Sequence, residues 1–256
     1  MASQILDDNL AAAELAWPRL HEMLAQGMPL ILTVGSFEQH GPHLPVNTDT
    51  LIVGELAYRV AQRVGALVLP TLPFGAPSRP RSGGGDLFPV PDLPLTTLIP
   101  AVEALAEGCL AAGCHWLIVM SWHLENATVL WEGLRGPAQR HDGTIQLFEA
   151  PWDYLGKELE DELFPEGDPN WNADHAGRLE TAMMRYLAPH LVGEPPAPVP
   201  FVPRASYDVL PTPPDSVPST GAVLDSRNVT RETGERSTHA IVEGIVSAVG
   251  SERKRH

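Results

Sequence analysis

Short, largely apolar runs alternate along this chain with longer stretches in which apolar positions recur every three or four residues. The runs at 29–34 (PLILTV), 66–69 (ALVL), 116–121 (WLIVMS) and 144–149 have the length and composition of buried strands. Helical spacing covers 8–26, where Leu10, Leu15, Trp17, Leu20 and Met23 fall among polar positions, and recurs over 51–64, 96–112, 126–139, 174–187 and 230–249. The first strand, the helix at 51–64 and the second strand form a βαβ unit. Continued alternation predicts a three-layer α/β/α fold around a mostly parallel sheet with right-handed crossovers. Three stretches break the pattern. Residues 73–94, rich in Gly and Pro and containing SRPRSGGG at 78–85, predict a surface loop, and a proline-rich arm spans 195–218. Residues 151–173 are expected to be irregular.

Composition narrows the function. A chain of 256 residues suits one α/β domain, expected to span 1–256. The formal net charge of −15 argues against a nucleic-acid partner, because such binding relies on Lys and Arg at phosphates. Arg253, Lys254 and Arg255 read as a solvated tail. Cys109 and Cys114 are the only cysteines, too few for a disulfide framework and consistent with a reducing compartment. The first ten residues lack the pattern of a signal peptide and no stretch reaches about 18 apolar residues, so a cytoplasmic protein without a membrane partner is expected.

The chemistry gathers where strands end. GSFEQHGPHLPVNTDT, at 35–50, follows the first strand, and Glu38 and His40 stand two apart, a spacing that puts both on one side of an extended backbone. With Asp49 they form a ligand set suited to zinc or manganese, although a polar loop facing water would carry the same residues. The pattern recurs after the third strand as His123-Leu124-Glu125. Two such clusters on neighbouring strands supply five ligands, enough for a two-metal hydrolytic site. The glycines at 83–85 are not followed by Lys-Ser or Lys-Thr, which excludes a phosphate loop.

GSFEQHGPHLP with Thr48-Asp49, HLEN at 123–126, SGGG at 82–85, WNADHAGRLET at 171–181 and YDVLP at 207–211 resemble the creatininase (creatinine amidohydrolase) family, in the same order and over about 15–248. Relatives in that family also include a formamide deformylase and a peptidase of cofactor maturation. Trp152 and Trp171 resemble the creatinine-hydrolysing branch. The resemblance implies that Glu38, Asp49 and His123 hold one zinc or manganese ion and His40, Asp49 and Glu125 a second, with Asp49 bridging. It implies proton transfer by His175, a catalytic part for Glu125 and Glu180, and a substrate pocket with Ser78, Leu124, Trp152, Trp171 and Asn172. The expected substrate is a small cyclic amide, creatinine or a close analogue. The resemblance also implies a homo-oligomer, often a hexamer, for which the arm at 195–218 could reach across a boundary. Leu124 stands where Tyr is expected and Asn172 where Asp is expected, and both changes remove polarity from the pocket. Another amide hydrolase of the same scaffold, or a non-catalytic binding homologue, would share most of these residues; the latter should have lost a ligand, and all five are present.

Overall fold

The computed structural model describes residues 10–82, 84, 87–88, 90–167, 174–202 and 207–255. Four strands form a parallel sheet in the order β2-β1-β3-β4: β1 (Leu30–Val34), β2 (Leu67–Val68), β3 (Trp116–Ser121) and β4 (Thr144–Phe148). Side chains alternate across the sheet, so the apolar runs of β1 and β3 feed two cores at once. Ile31, Ile118 and Met120 enter one core; Leu30, Leu32, Leu117 and Val119 enter the other. Helices α2 (Thr48–Val64), α6 (Arg178–Leu187) and α7 (Arg231–Arg253) cover the first face, and α1 (Trp17–Ala25), α3 (Leu95–Ala111) and α4 (Asn126–Arg140) the second. The three predicted layers are present.

The connections decide where a ligand can sit. From β1 the chain crosses through α2 to β2 on one side, whereas β3, on the other side of β1, leads through α4 on the opposite face. The loops leaving the carboxyl ends of β1 and β3 therefore diverge and open a crevice, the usual ligand position in such sheets. Helix α2 is seated by Ile52, Val53, Leu56, Ala57, Val60 and Ala61, all fully buried. Burying each larger member contributes roughly 2 kcal/mol, which sets the rotation of the helix and the direction of its first turn.

Several boundaries differ from the expected ones, each for a local reason. The first amphipathic helix begins only at Trp17, because Pro18 lacks the N–H that an interior position uses and is favoured in the first turn; Trp17 is 78% exposed rather than packed. Helix α2 begins at Thr48, so Asp49 is in its first turn and not in the preceding loop. Helix α6 begins at Arg178, with Asp174 accepting from the main-chain N–H of Arg178 (2.7 Å) and Leu179 (3.1 Å) and thereby satisfying two of its free donors. A further helix, α5 (Lys157–Leu163), buries Leu159 and Leu163 in the stretch expected to be irregular. Among the described residues no helix is long and apolar enough to cross a membrane.

Candidate active site

Four of the five ligand candidates meet in the crevice. Glu38 and His40 come from the loop after β1, Asp49 from the first turn of α2, and His123 from the loop after β3; all four are buried. Asp49 stands between the two histidines. Its Oδ2 lies 3.2 Å from His123 Nδ1 and its Oδ1 3.2 Å from His40 Nε2, while Ser36 Oγ donates to Oδ2 at 2.6 Å and fixes the carboxylate plane. Glu38 Oε1 is 3.1 Å from His123 Nδ1.

Both histidines are held by the same device. His123 Nε2 donates to the main-chain carbonyl of Ala76 at 2.8 Å, and His40 Nδ1 to that of Glu38 at 3.3 Å. A carbonyl can only accept, so in each ring the other nitrogen is left facing carboxylate oxygens. A lone pair against a carboxylate repels it, and a proton or a cation must stand between them. Without a cation the proton is held tightly. Burial opposes charge on His40, but Asp49 and Glu180 outweigh it and raise its pKa well above the ordinary imidazole value. Burial likewise opposes charge on His123, and Glu38, Asp49 and Glu125 outweigh it in the same direction. The carboxyl of Asp49, despite its burial, is held well below the usual range by His40 and His123.

A metal fits these groups. Glu38 Oε2 is a buried carboxylate oxygen without a hydrogen-bond donor, and it faces the crevice beside Gly84. Leaving such an atom unpaired is costly, and a cation would satisfy it. Two groups share Asp49: Glu38, Asp49 and His123, and His40, Asp49 and Glu180. The first is the expected set. In the second, Glu180 takes the place expected for Glu125, with its Oε2 3.7 Å from His40 Nε2. Trp122 Nε1 donates to Glu180 Oε1 at 3.1 Å and the Ala176 N–H to Oε2 at 2.8 Å. Ala176 adopts a left-handed φ of 49° to do so, a strained conformation for a residue with a side chain and one that gathers at functional sites.

Glu125 is turned the other way. Its Oε1 accepts from the Arg79 N–H at 3.0 Å and from the Ser82 hydroxyl, and its Oε2 lies 3.5 Å from His123 Nε2. The glycine-rich loop thus holds this carboxylate at the pocket edge. His175 lies under the site, its Nδ1 3.7 Å from Glu38 Oε1 and its Nε2 2.6 Å from the carbonyl of Gln39. Its burial lowers its pKa against the pull of Glu38. Asp174 is pushed up to about 8 by burial and by Glu180.

An apolar wall faces these groups. Trp152 meets Trp122 edge to face, 5.5 Å between centroids, and Leu124 and Leu179 complete the surface. Ser78 does not line this pocket; it packs behind Gly84 and lines the adjacent cavity with Phe37 and Gly75, and Ser82 is the loop hydroxyl that reaches the site. Trp171 and Asn172 lie outside the described residues. The roles of Ser82, Gln39 and Asp174 carried no separate sequence signal: each is a polar residue in a turn, where contact with water is the ordinary outcome.

A family model described as creatinine amidohydrolase matches residues 13–249. The creatinine amidohydrolase of Pseudomonas putida is 34% identical over 96% of this chain and 98% of its own. A mycofactocin precursor peptide peptidase of Mycolicibacterium smegmatis is 28% identical over 67% of this chain and 61% of its own. Among solved structures, a creatininase in a manganese form superposes with a TM-score of 0.86 at 32% identity, covering 95% of this chain and 98% of that one. A mutant creatininase of the Zn-Zn type gives 0.87, also at 32% identity and with the same coverage.

Proposed function

Because this chain belongs to the creatininase family of amidohydrolases, we propose that it is a binuclear metal-dependent enzyme that opens the C–N bond of a small cyclic amide. The observation that carries the reading is the shared carboxylate of Asp49, one oxygen toward each of two histidines whose remaining ring nitrogens are tied to main-chain carbonyls. Glu38, Asp49 and His123 would hold one ion and His40, Asp49 and Glu180 the other. Zinc or manganese suits this mixed imidazole and carboxylate set, and similar creatininases are known as Mn and Zn-Zn forms. When bound, such a pair acidifies water and polarises an amide carbonyl.

The residues of the chain do the remaining work. His175, kept neutral by burial, can take a proton in the pocket and return it to the departing nitrogen. Glu125 holds one oxygen on the loop and presents the other at the pocket edge, where it can carry a proton. Trp122, Leu124 and Trp152 exclude water and offer a flat apolar surface to a ring. Creatinine is the reference substrate, by similarity to the Pseudomonas putida enzyme. Leu124 and Asn172 favour a neutral lactam or cyclic ureide over a cationic ring, since Leu gives no hydroxyl and Asn no charge. An unpaired buried polar group of the substrate would cost about 1–3 kcal/mol.

A second reading, hydrolysis of a peptide amide, draws on the similarity to mycofactocin precursor peptidases. One panel separates the two: metal-loaded protein assayed on creatinine, neutral lactams, cyclic ureides and short peptides, beside Leu124→Tyr with Asn172→Asp. A neutral ring should be the best substrate and the double change should improve creatinine turnover. Peptide cleavage without ring opening would overturn the proposal. The family resemblance also supports a homo-oligomer, such as a hexamer, using the arm at 195–218, and two free cysteines suit a cytoplasmic protein. Light scattering showing a monomer at micromolar concentration would remove the oligomer.

A further inference from the structure

The side chain of Gln39 lies between the two ligand candidates Glu38 and His40 yet points away from both, into a junction of three segments. Its Oε1 accepts from the Gly41 N–H at 2.9 Å. Its Nε2 lies 2.9 Å from the carbonyl of Gly84 and 3.2 Å from that of Gly221, and an amide nitrogen has two hydrogens to give. Turning the amide over would set its oxygen against two carbonyl oxygens and its NH2 against an N–H. The orientation is therefore determined by its partners, and both hydrogens are used.

His175 meets this junction from below. Its Nε2 is 2.6 Å from the main-chain carbonyl of Gln39 and 3.1 Å from Gln39 Nε2. The carbonyl can only accept, so Nε2 carries hydrogen. The contact with Gln39 Nε2 is then packing against a group whose hydrogens point elsewhere. The lone pair of a neutral ring is consequently on Nδ1, which faces the pocket and stands 3.7 Å from Glu38 Oε1, beyond hydrogen-bond distance and outside the close carboxylate contact made by His123. The segment that follows the proline-rich arm closes the junction. Val223 N–H donates to the carbonyl of His175 at 3.1 Å, and Gly221, at a φ of 76°, brings its main chain so close that a Cβ there would lie 1.9 Å from Gln39 Oε1.

We propose that Gln39 is a positioning residue for the amidohydrolase reaction, fixing His175 as its Nε2–H tautomer so that Nδ1 is the nitrogen that exchanges protons with the substrate, and that Gly221, three residues beyond the arm, is the seat of the Gln39 amide. The proposal rests on the functional reading above for the identity of the reaction, but not for the tautomer. Loss of the amide lets the carbonyl of Gln39 and the imidazole drift, and outer partners of this kind are commonly worth about 10–100-fold in activity.

The test uses zinc-loaded protein labelled with 15N-histidine, its His175 signals identified by their loss in His175→Asn. The natural protein should show a protonated Nε2 and a bare Nδ1. Gln39→Met should mix the tautomers and lower kcat about 10–100-fold, with KM and zinc content within about two-fold. Gly221→Ala should give the same spectral change from the other side of the junction. A natural protein with hydrogen on Nδ1 would overturn the proposal, as would a Gln39→Met protein with unaltered His175 signals and kcat. If Gln39→Met does not fold, the natural spectrum and Gly221→Ala decide. The spectra need no substrate, so absence of amide turnover in the natural protein would defeat the functional reading alone.

Discussion

Gly84→Ala places a methyl group where the glycine-rich loop packs against the candidate metal ligand Glu38. A Cβ at this position would lie 2.6 Å from Glu38 Oε2, 2.6 Å from Ser78 Cβ and 2.7 Å from Ser78 Oγ. Ordinary contact begins near 3.4 Å, so one side must give by roughly 0.8 Å. If Glu38 retreats, its carboxylate leaves coordination range, because metal–ligand distances tolerate only about 0.2 Å. If the loop retreats, the 2.9 Å bond from Gln39 Nε2 to the carbonyl of Gly84 is lost. Either route disturbs the site. Overpacking should destabilise the fold by about 1–3 kcal/mol, and misplacement of a reacting group by about an ångström should slow turnover by about 100-fold. Metal analysis, thermal denaturation and amide turnover on one preparation report all three, with divalent metal expected to fall toward one ion per chain if Glu38 is the side that moves. Gly108→Ala, within α3 and with open space at its Cβ, is the matched control and should be neutral or stabilising by up to about 1 kcal/mol. Metal content and turnover both within two-fold of the natural protein in Gly84→Ala would refute the reasoning.

Three further outcomes follow from the same geometry. Asp49→Ala should lose most of both ions, since one oxygen faces each histidine; full occupancy by metal analysis would end the bridging assignment. Glu180→Gln should remove about one ion per chain, whereas Glu125→Gln should keep both and lose turnover by about 100-fold or more; the reverse pattern would return Glu125 to the second ligand set. His43 is buried against Thr181, and its pKa is lowered to about 4 by burial first and then by His40 and Arg185. The unfolded chain therefore binds more protons between about pH 6.5 and 4, so stability is fully present above the unfolded value and falls as pH drops through that window, by up to about 3 kcal/mol. Denaturant titrations of His43→Gln should show a shallower decline over the same range, and an unchanged slope would exclude His43 as its source.

How much of this was legible in the chain depended on whether the cause was local. Strands β1 and β3 are apolar on both faces because each feeds two cores, and burial on both sides is what demands a continuous run of such residues. The sheet's parallel direction followed from its alternation with helices. Glu38, His40, His123 and Glu125 stood out because polar residues two apart at a strand end share a direction set by the backbone alone. Asp49 joined them as the second carboxylate of the same segment, and the family motifs assigned the five residues to two ions. Which carboxylate stands beside His40 and Asp49 is a matter of tertiary structure. Glu180 reaches His40 because α6 packs on the same core as α2, while Glu125 is drawn off by Ser82 and the Arg79 N–H, and no spacing along the chain encodes either distance. It also moved Asp49 onto the first turn of α2 and delayed α6 until Asp174 could cap it. The link from Gln39 to Gly84, Gly221 and His175 joins segments 45 to 182 residues apart. A glutamine beside two ligands looks the same in sequence whether it faces water or holds a histidine, because only the arrival of the other segments supplies the carbonyls that use up its hydrogens.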